Sequence, residues 1–302
     1  MRILNAIRTG PPSVSFEFYP PKDESAVGPL LERAARLESL RPGFVSVTYG
    51  AGGGATGRQE ASIRATELLS RATTAPRLAH LTLAGHSRAE LVQVVRRFLD
   101  SGVEGFMALR GDPPGGPSAP WHGSPDGLTY ACELVELIRG LSAAPIGVAA
   151  FPYGHPAAES LEHDAAVLAI KQRAGADFAL TQVLFEAEPY FRLVERATRE
   201  GVTIPVVPGI MPVTGAVKRE RMELLSGSAL PAELAARVSA ARDRDELAQI
   251  GVDWCAALVR DLLDGGAPGV HFYTLNSSLA AEAICRKVGL SGPSSDDSSG
   301  GR

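Results

Sequence analysis

Phe106-Met107-Ala108-Leu109-Arg110-Gly111-Asp112-Pro113-Pro114 is an apolar run that stops in Arg-Gly-Asp and two prolines. A short apolar run bounded by turn signals reads as a buried strand. Proline lacks an N–H and fixes φ, so neither a helix nor a strand ladder continues through the pair. An arginine, a flexible glycine and a carboxylate are thereby gathered at one strand end. Glu17, Thr48, His80 and Gln182 recur in the same way, inside or at the end of other apolar runs.

Working outward, residues 14–19 form a β-rich run closed by Pro20-Pro21, and 44–48, 77–84, 146–151, 178–185, 204–210 and 269–275 repeat the pattern. Between them lie stretches with helical spacing. Leu30, Leu31, Ala34, Leu37 and Leu40 mark a helix over 25–40 with Ser25 as its expected cap. Others span about 57–72, 87–101, 130–141, 160–174, 189–200 and 279–288. The region 214–263, interrupted near Gly227 and Pro231, is too long for one helix and is read as a helix with additions. Eight strands alternating with helices predict an α/β fold, a single (β/α)8 TIM barrel over 1–290, with extra helices near strands 7 and 8. A doubly wound sheet would place a Gly-rich dinucleotide loop after the first strand, where Pro20-Pro21-Lys22 stands instead. Residues 291–302, rich in Ser, Gly and Asp, are expected to be a disordered tail.

The bulk composition narrows the function. With 302 residues, 45% hydrophobic and 21% charged, the chain has ordinary soluble globular composition. A net charge of −4 with no basic run argues against a nucleic-acid partner. No apolar stretch is long enough for a membrane span, and residues 1–10 lack the apolar core of a signal peptide. Cys132, Cys255 and Cys285 are far apart, so neither a disulfide framework nor a Cys-x-x-Cys metal site is indicated. The histidines show no ligand spacing, so no metal is expected. A reducing cytoplasm is the expected compartment. The expected partners are small-molecule substrates and further copies of the chain in a homo-oligomer.

In a barrel, strand C-termini converge on one face, where sites are built. That rule nominates Glu17, Thr48, His80, Arg110, Asp112, His155, Gln182 and Tyr273. A glutamate pointing into an apolar mouth has a raised pKa and suits general-acid work. The alternative for Glu17 is pairing with an inward lysine or arginine. The alternative for Asp112 is a turn-forming aspartate beside a solvated Arg110. His80 could be a hydrogen-bonded core histidine. Residues 50–57 form a Gly-rich loop without the frame of a dinucleotide or P-loop motif, and the loop 113–125 carries Trp121 and His122.

Several of these stretches, in order, resemble the methylenetetrahydrofolate reductase family of bacterial type. They are 16–22 (Phe-Glu-Phe-Tyr-Pro-Pro-Lys), 45–53, 79–82, 109–114, 149–156, Thr181-Gln182, 208–213 and 271–276. The resemblance covers about residues 12–290. It implies a flavin-containing barrel that reduces 5,10-methylenetetrahydrofolate to 5-methyltetrahydrofolate with NADH or NADPH, ping-pong through FAD, feeding methionine synthesis. It implies Glu17 as general acid and Asp112 as the carboxylate beside flavin and folate, with Gln182 and Tyr273 also at the substrate. Thr48, Tyr49, Ala51, His80, Arg110, Gly111, Asp112, Tyr130, Ala131, His155, Asp164 and Lys171 match flavin-binding positions. Because the match stops near residue 290, no inhibition by S-adenosylmethionine is expected.

The chain departs from the family pattern at Val167 and Ile170, apolar where polar or charged residues are common. It departs again at Ser277, where an arginine commonly contacts the folate tail, and at the small Gly215 and Ala216. Two rival readings follow. Val167 and Ile170 motivate a flavin-free reductase with direct hydride transfer from NADH. Ser277 motivates a folate- or flavin-binding protein without turnover.

Overall fold

The computed structural model describes residues 2–49, 55–112, 121, 123, 126–215, 219–275 and 277–290. Eight parallel strands close into a barrel in chain order. They are β1 (Ser13–Phe18), β2 (Phe44–Val47), β3 (Arg77–Thr82), β4 (Gly105–Leu109), β5 (Ile146–Ala150), β6 (Phe178–Leu184), β7 (Val206–Ile210) and β8 (Gly269–Tyr273). Closure is made by β1 pairing with both β2 and β8, so that Glu17 stands opposite Ser46 on one side and Tyr273 on the other.

Strand alternation sorts the side chains. Phe16 and Phe18 join Leu30, Ala34 and Leu37 of the helix layer in the main core, while Ser15 and Glu17 take the opposite face, toward the lumen. The helices around the barrel are α2 (Val27–Glu38), α3 (Ala55–Leu69), α4 (Arg88–Asp100), α5 (Ala131–Leu141), α6 (Leu161–Arg173) and α7 (Glu188–Arg199). Residues 214–263 contain three helices, α8 (Arg219–Ser226), α9 (Ala232–Ala240) and α10 (Arg244–Asp264), broken where Gly227 takes φ +76° and at Pro231. The last helix is α11 (Ser278–Val288).

Three sequence expectations need correction or completion. The helix expected to start at Ser25 begins at Val27, after a 3-10 turn over Glu24–Ala26. Asp23 caps that turn, its carboxylate accepting from the Ser25 N–H at 3.0 Å, and α2 itself follows Ala26 without a side-chain cap. A further helix, α1 (Arg2–Arg8), precedes the first strand. Its Ile3 and Ile7 pack with Phe44, Leu78, Met107, Phe178, Leu180 and Val207 from the early parts of the strands, forming an apolar floor under the lumen. The expected disordered tail lies outside the described residues. No helix among the described residues is long and apolar enough to cross a membrane.

Candidate active site

Above the apolar floor the lumen turns polar. Ser15 Oγ lies 2.8 Å from His271 Nδ1, both fully enclosed. The Ser46 Oγ, His80 Nε2 and His271 Nε2 atoms are buried without a hydrogen-bond partner. Glu17 comes next toward the mouth and is 4% exposed. Burial pushes its carboxyl up to about 8. Its Oε2 is 3.6 Å from His80 Nε2, and burial pushes that imidazole down to about 4. At neutral pH the contact is therefore a carboxylic acid beside a neutral imidazole rather than an ion pair. No lysine or arginine pairs with Glu17 among the described residues.

This arrangement has a stability consequence with a definite sign. A carboxyl raised from its ordinary 4.5 to about 8 stabilises the fold fully below pH 4.5, and that contribution is lost as pH rises through about 8. His80 and His271, lowered from 6.5 to about 4 and about 3, act oppositely: their contribution is present above 6.5 and lost on acidification. Glu17→Gln isolates the first effect. Its stability relative to wild type is expected to rise between pH 5 and 8, by up to about 4 kcal/mol. Urea midpoints across that range check it, and a constant difference would place the proton elsewhere.

Tyr273, opposite Glu17, donates its hydroxyl to the Thr181 carbonyl at 2.6 Å. Burial and the neighbouring Glu17 hold its phenol well above the ordinary range. Gln182 is half-buried, and its Oε1 accepts from the Val183 N–H at 3.0 Å.

The end of β4 builds a second cluster. Gly111 takes φ +83°, and a Cβ there would stand 2.9 Å from Thr82 Cβ, so the turn that presents Asp112 at the exposed rim requires glycine. Arg110 lays its guanidinium over the Trp121 ring at 4.9 Å, and its Nη2 is 3.5 Å from His155 Nε2. The Arg110 Nε has no hydrogen-bond partner. His155 accepts from the Ala157 N–H through Nδ1 at 3.0 Å, and its backbone N–H donates to the Asp164 carboxylate at 3.1 Å. Burial, then Arg110 and Lys171, hold the His155 imidazole below its ordinary value. Lys171, from α6, donates to the Ala149 carbonyl at 2.9 Å; burial lowers its ammonium while Asp164 opposes that. Burial raises the Asp164 carboxyl, offset chiefly by Lys171.

Of the other expected contacts, Thr48 Oγ1 is buried without a partner, at the end of β2. Tyr130 is 63% exposed where α5 starts, next to Ala131. Tyr49 has its ring buried in the helix layer, its hydroxyl 3.0 Å from His86 Nε2, so its backbone is the part left to meet a ligand at the mouth. Ala51, His122 and Ala216 lie outside the described residues. Val167 is half-buried and Ile170 is 42% exposed on α6. Ser277 and Gly215 both line a cleft of about 670 Å³ beside the mouth, together with Thr214, Arg244, Gln249 and Leu279.

Sequence reasoning missed Arg196. It is buried at the C-terminal turn of α7, directs Nη2 at the Pro152 carbonyl at 3.5 Å, and its charge acts on Asp164. The available signal was its position: Tyr190, Leu193, Arg196 and Ala197 share the buried face of α7, so a cation stood at an apolar-periodic position. No group of three or more His, Cys, Asp or Glu able to hold a metal occurs among the described residues.

A family model described as methylenetetrahydrofolate reductase matches residues 2–289. The chain is 34% identical over 279 residues to 5,10-methylenetetrahydrofolate reductase of Escherichia coli (strain K12), covering 92% of this chain and 91% of that one. It is 30% identical over 306 residues to methylenetetrahydrofolate reductase (NADH) 1 of Arabidopsis thaliana, with 96% of this chain and 51% of that one. Among solved structures, an uncharacterized protein from Clostridium thermocellum that binds two copies of 5-methyl-5,6,7,8-tetrahydrofolic acid superposes with a TM-score of 0.61. The match covers 95% of this chain and 98% of that one at 12% identity, which shows a shared fold and no more.

Proposed function

Because the chain belongs to the methylenetetrahydrofolate reductase family of oxidoreductases, we propose that its barrel mouth reduces 5,10-methylenetetrahydrofolate to 5-methyltetrahydrofolate with NAD(P)H. The observation that carries the reading is the enclosed Glu17, a carboxyl that burial keeps protonated at neutral pH. Opening the methylene bridge needs a proton on the departing nitrogen, and the resulting N5-iminium carbon then accepts hydride to become the methyl group. An acid with pKa near the working pH suits that step. Asp112 at the rim would sit beside the same ligand, and Gln182 would donate to it.

The residues fit a flavin with its phosphates. Thr48 Oγ1 and Arg110 Nε are buried donors without partners, and Arg110, His155 and Lys171 bring cationic or hydrogen-bonding groups to one side of the mouth. Arg110 and Lys171 would meet the diphosphate, Asp164 the sugar or ribityl hydroxyls, and the backbone at 48–49 and 110–112 the ring system. FAD, when bound, supplies a hydride carrier that lets NAD(P)H and folate use the mouth in turn, in ping-pong fashion. The protein's own task is to orient the acceptor, exclude water and hold the Glu17 proton.

One observation favours a second reading. Val167 and Ile170 offer no hydrogen bond from α6, where a flavin would lie, which suits direct transfer from NADH to folate. The visible spectrum of the purified protein separates the two. Oxidised-flavin absorbance that bleaches on anaerobic addition of NADH is the expected result. A colourless protein that consumes NADH only with methylenetetrahydrofolate establishes the flavin-free route. A protein that does neither overturns the proposed activity.

A further inference from the structure

β6 does not run straight to its end. Its pairing with β7 advances from Leu180↔Val207 to Val183↔Gly209, so β6 spends three steps where β7 spends two. That is a β-bulge, and it falls on Thr181-Gln182. An extra residue inverts the inside–outside alternation beyond it. Leu180 packs in the lumen floor, and after the bulge Val183 faces the lumen again, beside Met211 and Tyr273.

Groups from three strands close around the bulge. The Gly209 N–H donates to Thr181 Oγ1 at 2.8 Å, so a side-chain oxygen replaces the ladder acceptor that the bulge removes. The Thr181 hydroxyl donates onward to the Gln182 carbonyl at 2.8 Å. The Tyr273 hydroxyl donates to the Thr181 carbonyl at 2.6 Å. A Cβ at Gly209 would stand 2.5 Å from both the Thr181 carbonyl oxygen and Tyr273 Cε2, so the approach is possible only to glycine. Within this frame the Gln182 carboxamide is held by its Oε1, which accepts from the Val183 N–H at 3.0 Å, and the Nε2 hydrogens are left for a ligand.

We propose that Thr181 and Tyr273 are positioning residues that fix Gln182 as a one-way hydrogen-bond donor, selecting a ligand group with an acceptor, such as a ring carbonyl or a carboxamide oxygen. The inference rests on the reading that the mouth takes folate and a nicotinamide. Thr181 itself is fully buried and touches no ligand; it acts through the residue that follows it.

The test is a double-mutant cycle on kcat/KM for methylenetetrahydrofolate. Thr181→Val removes the hydroxyl at nearly constant volume and is expected to lower kcat/KM about 30-fold, as misplacement of a substrate-contacting group does. Thr181→Ser restores most of it. In a Gln182→Ala background the same Thr181→Val change is expected to cost less than about twofold, because residues acting through one another are not additive. The inference is overturned if Thr181→Val costs as much in the Gln182→Ala background as in wild type, if Thr181→Ser fails to rescue, or if Thr181→Val is silent. Should Thr181→Val not fold, Tyr273→Phe in the two backgrounds makes the same comparison. Wild-type turnover of methylenetetrahydrofolate tests the underlying reading separately. If that fails, a crystal structure of Thr181→Ser and Tyr273→Phe decides the inference alone: Gln182 Oε1 stays on the Val183 N–H in the first and leaves it in the second, and any other pattern refutes it.

Discussion

Glu17→Gln is expected to lower reduction of methylenetetrahydrofolate about 10³-fold while leaving NADH oxidation by artificial acceptors within about twofold. The substitution keeps the shape of the side chain and a hydrogen-bond donor beside His80, 3.6 Å away in wild type, but removes the transferable proton. Hydride donation from the nicotinamide needs no such proton, so the two half-reactions separate. They are measured by anaerobic reduction with NADH and by reoxidation with folate. Loss of both together would make Glu17 a structural or cofactor-binding group and sink its assignment as the acid. The pH dependence adds a second check: wild-type folate reduction is expected to fall as pH rises through about 8, where the carboxyl ionises.

Gly269→Ala is expected to destabilise the fold by about 4 kcal/mol, a large share of a typical total of about 5–15 kcal/mol. Gly269 opens β8 opposite Ser13, at the seam where the barrel closes. Its φ is +151°, and a Cβ would stand 2.1 Å from the Ser13 carbonyl oxygen and 2.6 Å from its nitrogen. Both are backbone atoms of a paired strand, so neither can yield without opening the seam. Gly266 has a positive φ of +92° but meets nothing within 4 Å, so Gly266→Ala reports conformational strain without the collision. A midpoint shift for Gly269→Ala no larger than for Gly266→Ala would show that the seam tolerates displacement.

Much of this was readable in the chain. Parallel strands covered on both faces read as continuous apolar runs, and each run from Val14 to Tyr273 is a strand in the structure. Polar groups at the ends of those runs have to meet at one face of a barrel, which puts Glu17, Arg110, Asp112 and Gln182 on that face from the sequence alone. What stayed hidden depends on contacts between distant segments. α1 has only two fully buried side chains, Ile3 and Ile7, and their partners come from strands spread over the chain, so no local period announces it. The pairing of Glu17 with His80 is invisible because it crosses strands. The bulge at Thr181-Gln182 carries neither glycine nor proline, the residues that usually signal one. The burial of the Tyr49 ring against Phe98 and His86 on the helix side is likewise a contact between distant segments.

The apolar floor laid down by α1 and the strand beginnings makes the lumen blind-ended. Glu17 exchanges with bulk water through the mouth, and on the proposed reading the mouth is also where the ligand binds. Recharging the acid and emptying the site are therefore one event. While the mouth is filled, the carboxyl keeps the hydrogen isotope it acquired when last open. In a rapid switch from light to heavy water after binding, the first turnover is expected to show the isotope effect of the solvent present before the mouth was filled.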